Sequence, residues 1–151
     1  MKKVELICVG KIKELFFNEA IKEYTKRLSR FCNLTIIEIK DEGDDISRAI
    51  EIESNNIIAK LSGFSILLDV GGELVSSEKF SNSIDNAFNT GSAKVQVIIG
   101  GSHGVSETLK NKVSTKMSFG RVTYPHKLMR VIVLEQLYRA FGIVAGTPYH
   151  K

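Results

Sequence analysis

The chain has 151 residues, 43% apolar and 25% charged, the proportions of an ordinary globular domain. One domain, 1–151, is expected, burying roughly 70% of its extended-chain surface, which excludes a disordered or fibrous protein. No apolar run reaches the ~18–20 residues of a membrane-spanning helix. Glu5 and Lys11 cut short the apolar start, and no small-residue cleavage site follows, so a soluble, cytoplasmic protein with no membrane partner is expected. Cys8 and Cys32 form neither a disulfide framework nor a C-x-x-C motif, so reduced thiols and no metal site are expected.

The net charge of +4 is unevenly spread. Residues 1–37 carry 8 Lys/Arg against 4 Asp/Glu, and residues 38–91 carry 4 against 11. Residues 92–109 hold one of each, and 110–151 hold 8 against 1, a local charge of +7. A basic end of this kind suits a polyanionic partner, because neutralising phosphates is a large term in nucleic-acid binding. A solvated charged face is the alternative.

Taken in chain order, Val4–Val9 reads as a strand closed by Gly10. Phe17, Ala20, Ile21, Tyr24 and Leu28 recur at helical spacing and predict an amphipathic helix over Glu14–Leu28. Leu34–Ile39 is a β-branched strand, and Asp41–Asp45 an acidic loop. Ser47 precedes a helix to about Leu61, with Ile50, Ile57, Ile58 and Leu61 facing inward, ended by Gly63. Phe64–Leu68 is a compact strand reaching Asp69, with a turn at Gly71-Gly72. Ser76-Ser77-Glu78 has the composition of a cap and leads into a helix to about Asn89.

Val95–Ile99 is hydrophobic without alternation, as in a strand covered on both faces. A glycine turn, Gly100–Gly104, and a short helix near Ser106–Lys112 follow. Lys116–Phe119 is a short strand. Pro125 opens a helix to about Phe141, and Gly142 and Gly146 break the pattern. Strands alternating with helices predict an α/β fold: a largely parallel sheet with helices on both faces.

Four segments have the composition for chemistry. Gly100–Gly104 directly follows a buried strand, where glycines allow close approach to a ligand; a purely structural strand–helix turn would use them equally. The Gly-Lys-Ser/Thr ending of a P-loop is missing, as is the acid that a dinucleotide fingerprint places about 20 residues on. Ser118–Arg130 places the flexible Gly120 before a proline-started helix, with Arg121, His126 and Arg130 suited to an anionic substrate. The helix itself has two apolar stripes, Leu128, Val131, Ile132 and Met129, Val133, Leu137, Ala140, Phe141; two faces suit a two-fold dimer interface or a fully enclosed helix. Tyr149-His150-Lys151 is either a frayed terminus or a set of groups for base stacking, proton transfer and phosphate contact.

In sequence, Leu67-Leu-Asp69, Ser76-Ser-Glu78, Val-Ile-Ile-Gly-Gly-Ser-His-Gly104, Tyr-Pro-His-Lys-Leu-Met-Arg130, Glu135-Gln-Leu-Tyr-Arg-Ala140 and Tyr149-His-Lys151 strongly resemble the ribosomal RNA large subunit methyltransferase H family of the SPOUT superfamily. The resemblance covers essentially the whole chain. It implies a SPOUT-type α/β fold with a C-terminal trefoil knot, an S-adenosylmethionine site in that knot, and a homodimer. It also implies methyl transfer to N3 of a pseudouridine in 23S ribosomal RNA of the assembled ribosome, with no DNA partner. Cofactor contacts are implied at Leu68, Gly100, Phe119, Gly120, Arg121, Val122, Thr123 and Tyr124.

The tail Tyr149, His150, Lys151 is implied to reach over the partner's cofactor, with His150 as candidate base and Lys151 or Arg121 stabilising the emerging negative oxygen. The resemblance implies Asn in many relatives where this chain has His103, and Val70-Gly-Gly72 implies a more flexible first loop. A ribosome-binding factor without catalysis and a nucleotide-dependent oxidoreductase are the competing classes, the latter disfavoured by the missing acid.

Overall fold

A computed structural model describes residues 1–149. Its elements run β1 Lys2–Val9, α1 Leu15–Leu28, β2 Cys32–Ile39, α2 Ile46–Ile58, β3 Phe64–Leu74, α3 Ser77–Asn89, β4 Lys94–Ile99, α4 Glu107–Lys112, β5 Thr115–Ser118 and α5 His126–Ala145. The five strands form one sheet in the order β2-β1-β4-β3-β5, with every pairing parallel. Parallel strands need crossovers, and each crossover here is a helix on one face or the other.

The two faces have separate cores. Val4, Leu6, Val95 and Val97 meet Leu28 of α1, Phe80 and Ile84 of α3, and Val133, Leu134 and Leu137 of α5. Ile7, Val9, Leu67 and Ile98 point the opposite way, toward Ile57 of α2 and Leu109 of α4. Central strands are therefore apolar on both faces, which is why they read as unbroken hydrophobic runs. Gln96 interrupts the run in β4 and is fully buried. Its amide donates to Glu5 Oε1 and the Lys60 carbonyl, both at 2.7 Å, while its oxygen accepts from the Ser62 and Gly63 amides. With its hydrogen-bonding capacity met at both ends, it costs little to bury.

Serine and aspartate side chains start three helices. Asp45, Ser76 and Ser106 accept from the amides of Arg48, Lys79 and Leu109, three residues on in each case. Ser47 is therefore a helical residue, not the cap.

Two further expectations are corrected. Gly142 lies inside α5, which continues to a left-handed cap at Gly146 (φ 71°). The carbonyl of Gly142 accepts from the Thr147 amide at 3.0 Å, so the glycine serves the helix end from within.

The turn expected at Gly71-Gly72 is instead part of an extended strand. Met117 of β5 pairs with both Leu68 and Glu73, so residues 69–72 bulge out of the ladder before β3 rejoins it. Gly72 there is packed flush against β5. A Cβ on it would stand 2.8 Å from the Lys116 carbonyl carbon and the Met117 nitrogen, and backbone cannot step aside. The glycine supplies closeness, not flexibility. Gly72→Ala should therefore lower stability by about 1–3 kcal/mol. Urea denaturation checks this, and an unchanged midpoint would refute the close approach.

Candidate functional site

The carboxyl ends of β3, β4 and β5 face a cavity of about 690 Å³. Three connections wall it. The 69–70 part of the β3 bulge forms one side, the Gly100–Val105 turn after β4 a second, and the segment from Met117 into the start of α5 a third. Crevices outside the carboxyl ends of parallel strands are where open α/β sheets bind ligands, and the volume falls inside the roughly 300–1,000 Å³ of small-molecule sites.

Each wall is held by identifiable bonds. Ser118 Oγ donates to the Gly120 carbonyl at 2.7 Å and accepts from the Gly120 amide at 3.2 Å, pinning the turn after β5. The Gly104 amide bonds the Gly101 carbonyl at 3.0 Å, closing the turn after β4. Ser106 Oγ starts α4 immediately behind it. At the start of α5, Lys127 Nζ meets Glu14 Oε1 at 2.6 Å, joining the openings of α1 and α5. Phe119 stacks edge-on against the buried Phe80, ring centres 5.1 Å apart, which seats the third wall on the core.

The walls are largely backbone and apolar surface. Among the described residues the ionisable side chains lining the cavity are Asp69, His103, Lys110, Tyr124 and His126. A site of this kind holds a ligand mainly by shape and by backbone hydrogen bonds.

Of the residues singled out from sequence, Leu68, Gly100, Phe119, Gly120, Val122, Thr123 and Tyr124 all line this one cavity. Arg121 does not. Its guanidinium donates to the carbonyl of Val70 and, at 3.4 Å, to that of Gly72, lashing the segment after β5 to the β3 bulge. Sequence reading passed over Val105 and Met117, and placed Met129 only in an apolar helix stripe; all three complete the walls. Ordinary apolar residues carry no motif; only the fold places them.

Tyr149 lies back along α5 and is not part of this chain's cavity wall. Its hydroxyl donates to Glu135 Oε2 at 2.8 Å, the same oxygen that Arg139 Nη2 meets at 3.0 Å. The ring packs edge-on to Tyr138 at 4.9 Å, under the Arg139 guanidinium at 4.8 Å. Burial first, then the bond to Glu135, pushes the phenol up to about 12, so it stays protonated and acts as a donor at neutral pH. His150 and Lys151 lie outside the described residues.

Comparison with known proteins supplies the chemistry. Residues 2–150 match a family model described as "Predicted SPOUT methyltransferase". A protein of Clostridium botulinum (strain Okra / Type B1) named Ribosomal RNA large subunit methyltransferase H is 44% identical over 157 residues, covering 98% of this chain and 99% of its own. Proteins of the same name from Fusobacterium nucleatum and Carboxydothermus hydrogenoformans are also 44% identical, with the same coverage. Among solved structures, a probable methylase family protein from Haemophilus influenzae Rd KW20 shares the fold, with a TM-score of 0.56 at 11% identity, covering 98% of this chain and 70% of its own.

His126, in the cavity wall, has a displaced titration. Burial, and then the cations of Arg130 and Lys127, lower its pKa from 6.5, against the pull of Asp41 and Glu14. With the folded value below the unfolded one, the unfolded chain takes up the proton first. The contribution to stability is therefore intact above 6.5 and is lost as pH falls through the interval below it. His126→Gln should flatten the fall in urea midpoint as pH drops below about 6.5. Parallel pH profiles for the two proteins would refute the assignment.

Proposed function

The chain belongs to the SPOUT methyltransferase family, and from that membership we propose that it transfers a methyl group from S-adenosylmethionine to N3 of a pseudouridine in 23S ribosomal RNA. It acts as a homodimer on the assembled ribosome, in the cytoplasm. The carrying observation is the cavity at the ends of β3, β4 and β5, which is lined by Leu68, Gly100, Phe119, Gly120, Val122, Thr123 and Tyr124, all of the expected cofactor residues except Arg121.

The walls fit that co-substrate. S-adenosylmethionine supplies, when bound, a methyl carbon on a positive sulfur that departs as a thioether while the nitrogen lone pair takes the methyl. The chain has mainly to hold and aim it. The glycine turn after β4 and the Phe119-Gly120 segment offer backbone groups to an adenosine, and Leu68 and Met117 offer apolar surface. N3 of a pseudouridine carries a proton that must leave, and His150 is its acceptor, with Lys151 steadying the negative oxygen that forms. Arg121, committed to the β3 backbone, keeps two cavity walls together.

The homodimer is supported by two features. The stripe Leu128, Val131, Ile132 faces outward on α5 and is only partly covered, with Leu128 36% exposed. Tyr149 is clasped to Glu135 on α5, away from this chain's own cavity, which supports a reading in which the C-terminal residues serve a second copy's site. The trefoil knot belongs to the same proposal. Between β5 and α5 the chain crosses the strand ends while Arg121 bonds the backbone of residues 70 and 72, the kind of path a knot of the last elements needs. The basic 110–151 segment suits an RNA partner.

Mass spectrometry of ribosomal RNA from cells with and without this protein tests the reading: one N3-methylated pseudouridine should vanish without it, and identical RNA would overturn it. Two variants divide the machinery. Gly100→Val would add a Cβ 2.6 Å from Val105 Cγ1, and should abolish calorimetric binding of S-adenosylmethionine in a protein that still sediments as a dimer. Normal binding would refute the pocket. His150→Ala should slow single-turnover methylation by ~100-fold or more while leaving cofactor binding unchanged. An unaltered rate would remove His150 from the role of base.

A further inference from the structure

Four residues of α2 are buried: Ala49, Glu53, Ser54 and Ile57. Two of those four are polar, Glu53 at 3% exposure and Ser54 at none. The apolar residues Ile50 and Ile58, expected to face inward, are only half-buried. Burying a carboxyl and a hydroxyl where an aliphatic side chain would pack is costly, and such departures concentrate where a site requires them. Both polar groups reach the same target, the 100–106 turn, whose other surface walls the cavity.

Ser54 Oγ accepts from the Ser106 amide at 2.9 Å. Glu53 Oε1 lies directly against Gly101, where a Cβ would stand 2.6 Å from that oxygen and 3.4 Å from Val9 Cγ1. The second oxygen, Oε2, accepts from the Glu42 amide at 2.9 Å, tying the brace to the acidic loop after β2. Burial raises the pKa of Glu53, as does the charge of Asp41, while the bond from the Glu42 amide and the nearby His103 lower it. Within itself the turn has the Gly104–Gly101 backbone bond, and beneath it Gly101 also approaches Val9 of β1.

We propose that Glu53 and Ser54 are positioning residues that brace the glycine turn from the α2 face of the sheet and so set its affinity for S-adenosylmethionine. This rests on the cofactor reading above. Neither side chain lines the cavity; they act through the backbone of Gly101 and Ser106.

The test titrates S-adenosylmethionine calorimetrically into the intact wild type, Glu53→Ala, Glu53→Gln and Ser54→Ala, alongside melting curves and methylation rates at saturating cofactor. Glu53→Ala removes both the packing of Oε1 against Gly101 and the bond from the Glu42 amide, and should weaken binding about tenfold. Its rate at saturating cofactor should stay within about twofold of wild type, because uniform binding and not the transition state is affected. Gln keeps the size and the acceptor for Glu42, and should restore affinity to within about threefold. Ser54→Ala should also weaken binding, and decides alone if Glu53→Ala does not fold. Folded variants that bind as wild type does, or that lose rate with cofactor affinity unchanged, would overturn the brace. A wild-type protein that takes up no S-adenosylmethionine would instead overturn the cofactor site itself.

Discussion

One buried guanidinium organises the route of the chain. Arg130, 3% exposed, donates from Nη1 to Glu38 Oε2 at 2.6 Å and from Nη2 to the Gly10 carbonyl at 3.1 Å, while its Nε has no partner among the described residues. It thereby ties the first turns of α5 to the ends of β1 and β2. Removing one member of a buried ion pair typically costs about 3–5 kcal/mol, less where the remaining charge reaches water, as Glu38 partly does. The strand order turns this into a constraint on the site. β5 is at one edge, and β1 lies three strand spacings away, about 14 Å at ~4.8 Å each. The segment 119–125 therefore has to cross the carboxyl ends of β3 and β4, and there it becomes the third wall of the cavity.

The walls follow from that crossing. A connection stretched over strand ends has little length left to fold on itself, so it is fastened at points: Ser118 to Gly120, Phe119 on Phe80, Arg121 on the β3 bulge. The bulge in turn exists because β3 carries four more residues than β5 between two pairings with the same Met117. Neither feature is a flexible lid. Both are backbone held in place by the sheet, which suits a reaction whose main demand is alignment of a transferable carbon with a nucleophile.

Much of the architecture was legible because each signal was physical. Strands covered on both faces give continuous apolar runs, and capping serines mark helix starts, so all ten elements and their order could be read, mostly within a few residues at the ends. The cavity was legible in part for a related reason: glycines after β4 and β5 cluster only because parallel strands end together. What escaped needed a neighbour distant in sequence. Gly72 looked like a turn because glycine pairs usually are, whereas its role is set by Met117, which is 45 positions away. The bonds from Arg121 to the carbonyls of residues 70 and 72 were likewise invisible in sequence. Glu53 was one acidic residue in an acidic region, and nothing local distinguishes a buried carboxylate from a solvated one.

The position of Tyr149 links these features to assembly. α5 has 20 residues, and at 1.5 Å per residue its ends are about 28 Å apart. Its start lines the cavity through His126 and Met129, while its middle clasps Tyr149 through Glu135, Tyr138 and Arg139. The helix that forms part of the cavity wall thus holds Tyr149 away from that wall. On the proposed reading, a chain built this way completes its site with a second copy. The partly covered stripe of Leu128, Val131 and Ile132, on the same helix, is where two such copies would register wall against tail. Arg130 lies among those residues in sequence yet points inward, so one ion pair fixes the height of the cavity wall and the orientation of the outward stripe together.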